Sequence, residues 1–506
     1  MKKEIGWLVT SSLTLAALVM PVFAVNPSAN AEPLLAQYAS TDPVIPASDT
    51  RLKEGLSCKS ANYNWEVVGY RSDGRVGYIK CDYSRKVYVV AQGMPLINQS
   101  TLQPLVPKAV PRRTHFGYTP QLYIRPVASG SKPKSEASEP LKFQNLSMCR
   151  ISEIDRTLPN RPSSASGFPI PAERVPLSGK IIVQLIPVDF EGKRTRTAPS
   201  EDFRDATAGI EKFWERQSNS RADIQFRVPE TYIPMPDRVL EYDLSSTFPN
   251  FDGRAYQRYV EAAVKISDPQ IDFSDVDVVI LAHTPKVTAA EIGTFIAQAG
   301  MPGSDLVFET AEGTVLNTLI QGGDSPRDLY NWIHEFGHML GLTDSGAIGK
   351  MGFDVMLNYG IPELTVWHRF LLDALSPGQL HCISEPGVSR HWIRPVASTG
   401  KELKGVVIPI SESFAIVVES RRRMGYDAAI GIESQGAFVY TVDTTKSGNR
   451  GSGPFQAIGP KRMTSRMQWS LDSPLRLNES VSVSGWKITN VESGNFGDVV
   501  KVEKLN

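Results

Sequence analysis

The segment "DSPRDLYNWIHEFGHMLGL", residues 324–342, constrains the fold more than any other part of this 506-residue chain. It contains two of the seven histidines, His334 and His338, spaced four residues apart. Pro326 near its start and Gly341 after its last turn predict a single helix between them. Residues four apart project from the same face of a helix, so both imidazoles are expected to face one point.

Two imidazoles on one helix face can bind one metal ion together, and zinc prefers such nitrogen ligands in a tetrahedral set. A third protein ligand is then required. If Gly341 turns the chain sharply, we expect Asp344 to return toward the two rings. Glu335 lies beside the predicted metal position, where it can take a proton from water and pass it to a leaving amine. The alternative is an amphipathic helix whose two histidines are buried and hydrogen-bonded.

The motif "HEFGHMLGLTD", residues 334–344, is similar to the extended zinc signature of the metzincin-type endopeptidases, in the branch whose third ligand is Asp. It most resembles the immune inhibitor A family of secreted bacterial metalloproteases. The resemblance extends over residues 170–505 and implies a metzincin-like zinc peptidase domain. It implies one catalytic Zn²⁺ held by His334, His338 and Asp344.

The segment "MGFDVMLNYG", residues 351–360, resembles the part of that family that lies below the metal. The resemblance implies that Met356 forms the Met-turn and that Tyr359 helps to stabilise the oxyanion. This tyrosine is three residues past the methionine, whereas related enzymes more often place it two past. Thr343 stands where the family usually has proline. The short stretch between Asp344 and Met356 gives no support for a structural Ca²⁺ site.

The first 31 residues have the pattern of a secretory signal peptide, with a basic start, an apolar run and then small residues. Cleavage is predicted after Ala24 or after Ala31, with an uncleaved membrane anchor as the alternative. Lys+Arg and Asp+Glu are 54 each, and this balance gives no electrostatic case for nucleic acid as a partner. We therefore expect a secreted protein with no membrane attachment after cleavage. The resemblance implies protein or peptide substrates.

Four cysteines in an exported chain predict two disulfides, for which three connectivities exist. Cys58 and Cys81 lie in one hairpin region and are expected to pair. Cys149 and Cys382 bracket the histidine motif, and a bond between them would join the two ends of that domain. The alternative for Cys149 is a free thiolate that binds the metal in a latent precursor.

The patterning along the chain predicts a multidomain protein that combines α/β and all-β parts. Alternating residues around "SDGR" predict a hairpin in a small disulfide-stapled β module. Buried strands and amphipathic helices predict the α/β peptidase domain, and short strands between turn residues predict a C-terminal β-sandwich. The predicted divisions are a signal peptide (1–31), the small β module (32–106), a Pro/Ser-rich linker or propeptide end (107–165), the peptidase domain (166–385) and the sandwich (386–506).

Four further features are candidates for the site. His283 follows a buried strand and either lines the cleft or lies on the surface. His368 is on an amphipathic helix and is expected to be structural. Glu363 is the alternative metal ligand if Asp344 does not reach. Residues 313–323 form either the edge strand of the cleft, which could pair with an extended substrate, or a plain connecting hairpin.

These features favour a secreted zinc endopeptidase that hydrolyses peptide bonds with a metal-activated water and Glu335 as the general base. The alternative is a catalytically inactive adhesin or surface-binding protein that retains a metalloprotease-like domain. Inactive relatives typically lose the general base or a metal ligand. Because this chain keeps all of them, the enzyme is the favoured hypothesis.

Overall fold

The computed structural model shows a mixed α/β protein with several sheets and few helices. The residues that it describes are 66–70, 76–82, 87–90, 133, 140–143, 145–154, 164–244, 253–293, 296–299, 307–322, 329–344, 353–356, 362–430, 434–446, 453–460 and 473–505. In this described part of the chain, no helix has the length and apolarity that crossing a membrane requires.

The N-terminal part contributes one small antiparallel sheet in which three strands follow each other in order. These strands are β1 (Glu66–Tyr70), β2 (Val76–Asp82) and β3 (Val87–Val90). The pairing of Tyr70 with Val76 confirms the predicted hairpin. Cys58, the expected disulfide partner of Cys81, and the signal peptide lie outside the described residues.

A largely parallel sheet forms the centre of the α/β part, with the order β5-β4-β7-β11-β8 and β6 paired to β4. Its strands are β4 (Gly179–Asp189), β5 (Ala222–Arg227), β6 (Ile233–Pro234), β7 (Val278–His283), β8 (Ile296–Ala299) and β11 (Asn317–Ile320). β9 (Phe308–Glu309) and β10 (Thr314–Val315) form a separate antiparallel pair. Only β8 runs antiparallel to its neighbour in the central sheet.

Helices pack on both faces of this sheet because its central strands are apolar on both sides. On β7, Val278 and Ile280 pack toward one core, whereas Val279 and Leu281 pack toward another. Such continuous apolar strands are typical of parallel sheets covered on both faces. The helices are α1 (Pro199–Asp202), α2 (Arg204–Gln217), α3 (Gly253–Ser267), α4 (Ala289–Ile292), α5 (Leu329–Met339) and α6 (Val366–Leu371). α2 and α5 pack on the first face, and α3 packs on the second.

Two antiparallel-rich sheets form the C-terminal part, with the orders β12-β14-β15-β16-β17 and β13-β20-β19-β18. Their strands are β12 (Leu380–Cys382), β13 (Val388–Ile393), β14 (Gly405–Ser411), β15 (Phe414–Arg421), β16 (Gly436–Asp443), β17 (Phe455–Ala457), β18 (Ser480–Val483), β19 (Trp486–Gly494) and β20 (Gly497–Lys504). Residues of both sheets, among them Ile416 and Ile488, share one core.

The α/β part and the C-terminal sheets are joined by a second shared core. Phe336 of α5 and Val417 of β15 belong to the same cluster of buried residues. A disulfide between Cys149 and Cys382 adds a covalent link, with 5.8 Å between the Cα atoms. The predicted pairing of these two cysteines is therefore confirmed, and the alternative of a free Cys149 thiolate is wrong.

Residues 313–323 do not form the edge strand of the central sheet, which was one of the two expectations for this segment. β11 lies between β7 and β8 and is paired on both sides, so it is not the edge strand. Among the described strands, the edge on this side of the sheet is β8, which the sequence patterning did not identify, and the opposite edge is β5. A four-residue strand is too short to show a clear alternation of apolar and polar residues.

Candidate metal centre

The helix α5 ends in a turn that only glycine accommodates readily. The backbone amide of Gly341 donates to the His338 carbonyl over 3.0 Å, and that of Leu342 donates to the Gly337 carbonyl over 3.0 Å. This pair of bonds is a Schellman motif, and Gly341 has the expected positive φ of 92°. The turn sends the following chain back along the helix, as the sequence predicted, and so brings Asp344 toward the histidines.

Backbone carbonyls fix the orientation of both histidine rings. Nδ1 of His334 lies 2.9 Å from the Val355 carbonyl, and Nδ1 of His338 lies 2.8 Å from the Leu342 carbonyl. Because a carbonyl can only accept, Nδ1 must carry the proton in each ring. Nε2 is then the nitrogen of each ring that is free to bind a metal once the ring is neutral.

Asp344 faces both of these nitrogens. Its Oδ1 lies 3.2 Å from Nε2 of His334 and 3.6 Å from Nε2 of His338. In a tetrahedral zinc site with bonds of about 2.0–2.1 Å, two ligand atoms lie about 3.3–3.4 Å apart. The observed distances lie on either side of this value, so the carboxylate oxygen is spaced from each imidazole nitrogen as two ligands of one zinc ion would be.

Glu335 is the other carboxylate at this point. The ligand atoms of His334, Glu335 and His338 lie within 4.8 Å of one another, so this group could also hold an ion. However, Oε2 of Glu335 is 3.9 Å from Nε2 of His338, farther than Asp344 is from either ring. Asp344 therefore fits the role of third ligand better. Glu335 remains adjacent, at a position suited to proton transfer.

The site opens toward solvent on the side of the aspartate. The Asp344 side chain is 43% exposed, whereas those of His334 and His338 are 13% and 19% exposed. The imidazoles are thus largely enclosed by the protein, and the carboxylate is partly exposed.

The electrostatic environment favours positive charge between these groups. Burial disfavours the imidazolium of His334, but Asp344 and Glu335 outweigh this effect and raise the pKa of His334 to about 9. Burial likewise disfavours the carboxylate of Asp344, but His338 and His334 outweigh it and lower the pKa of Asp344 to about 2. A site that stabilises a bound proton so strongly also suits a divalent cation.

Met356, which the resemblance implies for a Met-turn, packs against the helix at Gly337. A Cβ added to Gly337 would be only 2.4 Å from Sδ of Met356 and 3.2 Å from the Trp214 ring. The glycine between the two histidines is thus needed for close packing of this methionine. The proposed oxyanion helper Tyr359 lies outside the described residues.

Glu363, the alternative metal ligand, lies in a different place. Its side chain is fully buried and binds Arg216 over 2.9 Å, Arg369 over 2.7 Å and Gln217 over 2.8 Å. The arginines lower its pKa against the effect of burial. Because its carboxylate is already paired with two arginines, Glu363 does not serve as a ligand, consistent with the contacts that Asp344 makes.

The two remaining histidine candidates are both buried. His283 is 1% exposed, so the surface position is wrong, and its ring nitrogens contact the carbonyls of Thr284 and Gly322. Burial lowers the pKa of His283. His368 is structural, as expected, because its Nδ1 lies 2.8 Å from the buried carboxylate of Asp354.

Sequence reasoning missed the groups that support the ligands. The hydroxyl of Tyr330 lies 3.1 Å from Nδ1 of His334 and one helical turn before it, so spacing could have identified it. The carbonyls of Val355 and Leu342 carry no sequence signal, because every residue has one.

Comparisons with known proteins add no identification to this geometry. The chain matches no family model and no curated protein. The arrangement of His334, Glu335, His338 and Asp344 is therefore the observation on which a functional assignment has to rest.

Proposed function

We propose that this protein is a secreted zinc-dependent endopeptidase. The observation that carries the proposal is the position of Asp344, whose Oδ1 lies 3.2 and 3.6 Å from the Nε2 atoms of His334 and His338. A structural pair such as His368 and Asp354 joins one ring to one carboxylate, whereas Asp344 faces two rings at once. In addition, both rings direct Nε2 toward it.

The chemistry assigned to the site is hydrolysis of a peptide bond. A bound Zn²⁺ supplies Lewis-acid activation of water and of the scissile carbonyl. Glu335 accepts a proton from the attacking water and transfers it to the leaving amine, as a general base and then a general acid. His334, His338 and Asp344 hold the ion in place, and the carbonyls of Val355 and Leu342 hold the two rings.

The proposed substrates are proteins or peptides in an extended conformation. β8 is at the edge of the central sheet and, among the described strands, pairs only with β11. A sheet edge near the site can align an extended chain by backbone hydrogen bonds. Secretion is supported by the Cys149–Cys382 disulfide, since such bonds persist in oxidising compartments.

We also propose a domain arrangement that is more specific than the mixed α/β class. A metzincin-like domain is followed by a β-sandwich. The features assigned to the first domain are a mainly parallel sheet, an antiparallel edge strand and Met356 packed against α5. The shared core of the two C-terminal sheets supports the sandwich. The small β module would precede these domains.

Cleavage of casein by the purified full-length protein tests the proposal. We expect cleavage that a chelator abolishes and zinc restores, and we expect Glu335→Gln to lose it while still binding zinc. Glu201→Gln, which changes an exposed glutamate of α1, is the matched control and should cleave normally. Unchanged cleavage by Glu335→Gln would eliminate the mechanism, and a wild-type protein that binds zinc without cleaving any protein would favour the binding-protein alternative.

A further inference from the structure

The segment 353–356 lies against α5 and makes two contacts with the proposed metal site. The Val355 carbonyl accepts the hydrogen bond from Nδ1 of His334 over 2.9 Å, and Met356 packs against Gly337. These four residues belong to no helix or strand. Ladder hydrogen bonds therefore do not fix their position, and side chains elsewhere must do so.

Asp354 ties this segment to the start of α6. Its buried carboxylate accepts hydrogen bonds from the backbone amide of Met356 over 2.9 Å and from that of Thr365 over 2.5 Å. It also binds Nδ1 of His368 over 2.8 Å. A buried carboxylate with three partners is well satisfied, and the loss of any of them would leave a costly unpaired group.

Arg421, the last residue of β15, holds the same segment from the C-terminal sheet. Its guanidinium donates to the carbonyl of Phe353 over 2.7 Å and to that of Glu363 over 3.1 Å. The Glu419 carboxylate accepts from Nε, and that of Asp427 accepts from the same Nη1 that donates to Glu363, so the fully buried side chain has a single defined orientation. A planar group with several fixed donors is needed to reach two carbonyls and two carboxylates at once.

The contacts thus form a continuous path from the C-terminal sheet to a metal ligand. Arg421 fixes Phe353, Asp354 fixes Met356, and Val355 lies between these two fixed residues with its carbonyl against His334. Buried ion pairs contribute little net stability compared with apolar residues of the same volume. The effect specific to this cluster is therefore expected in geometry rather than in stability.

We propose that Arg421 and Asp354 are positioning residues for the metal site, acting on His334 through the Val355 carbonyl. The C-terminal sheet is then a structural part of the zinc centre and not an independent binding domain. This inference rests on the proposed function, because it assigns the support of the same site. Loss of such a support typically lowers metal affinity by about 10–100-fold.

Zinc affinity and the His334 ring are measured on full-length Arg421→Lys, Asp354→Asn and the wild type. Chelator competition gives the zinc dissociation constant, and ¹⁵N NMR of the imidazole gives the hydrogen-bonded state of Nδ1. Arg422→Lys is the matched control. Arg422 is the next residue and is also buried, but its side chain binds Asp498 and the carbonyls of Gly494, Gly497 and Arg421 instead of the Phe353 carbonyl.

We expect Arg421→Lys and Asp354→Asn to weaken zinc binding by about 10–100-fold and to change the Nδ1 signal of His334. Arg422→Lys should leave the zinc affinity and the Nδ1 signal unchanged, even if it lowers the unfolding temperature as much as Arg421→Lys does. Zinc affinity and Nδ1 signals that match those of Arg422→Lys would overturn the inference. The NMR measurement needs no metal, so a wild type that binds no zinc would refute the proposed function alone.

Discussion

Replacement of Gly337 by alanine tests the packing between α5 and Met356. The new Cβ would lie 2.4 Å from Sδ of Met356 and 3.2 Å from the Trp214 ring, and both side chains are buried. Overpacking of this kind costs about 1–3 kcal/mol. Because the contact is far inside van der Waals distance and both neighbours are enclosed, we expect about 2–3 kcal/mol at this position.

A helical alanine offsets part of this cost, since it is about 1 kcal/mol more favourable than glycine inside a helix. The net expectation for Gly337→Ala is therefore a loss of about 1–2 kcal/mol in the free energy of unfolding. Displacement of Met356 should also move the neighbouring Val355 carbonyl. Zinc affinity should fall together with stability for that reason.

Thermal unfolding and chelator competition measure the two effects. Gly378→Ala is the control, because a Cβ there would meet only the Lys401 carbonyl at 3.7 Å. The double variant Gly337→Ala/Met356→Ala should lose less than the sum of the single variants, with a coupling of about 1 kcal/mol. If Gly337→Ala raised the unfolding temperature, or if the double variant were strictly additive, the packing argument would be refuted.

Four further predictions concern Asp344, the protonation of His334, a buried lysine and the disulfide. Asp344→Asn should weaken zinc binding by more than about 100-fold, because loss of a ligand costs more than loss of a hydrogen bond that supports one. Wild-type zinc affinity of this variant in isothermal titration would exclude Asp344 as a ligand. Burial opposes the charge of His334 but Asp344 outweighs it, giving a pKa of about 9, so zinc must displace a proton below that pH. The affinity for zinc should then rise about tenfold per pH unit from about pH 6 to 8. A zinc affinity that does not change with pH would contradict a protonated His334. Burial lowers the pKa of Lys404 from 10.5 to about 7. Between these values the unfolded chain binds one more proton than the folded one, so the free energy of unfolding should rise with pH over that interval. Denaturant titrations should find this rise missing in Lys404→Met. Cys149 and Cys382 close a loop with a sequence separation of 233 residues, so the double variant Cys149→Ser/Cys382→Ser should lose about 2–5 kcal/mol in the free energy of unfolding. If the wild type and the double variant were equally stable under oxidising conditions, the bond would not form.

The sequence by itself determined the local part of the site. The spacing of His334 and His338 places them on one helix face, and Gly341 ends that helix because its positive φ is strained for other residues. These relations involve neighbours in the chain, so they follow from helix geometry alone. The apolar strands β4 and β7 were predictable for the same reason.

Only the tertiary structure decided which groups support that site. The carbonyl behind His334 comes from Val355, and the guanidinium that fixes the adjacent residues comes from Arg421, on another sheet. Glu363, a candidate ligand by sequence, pairs with arginines that are distant in the chain. Carbonyls and buried charges acquire partners through packing between elements, and a single sequence has no periodic pattern that records which partner is met.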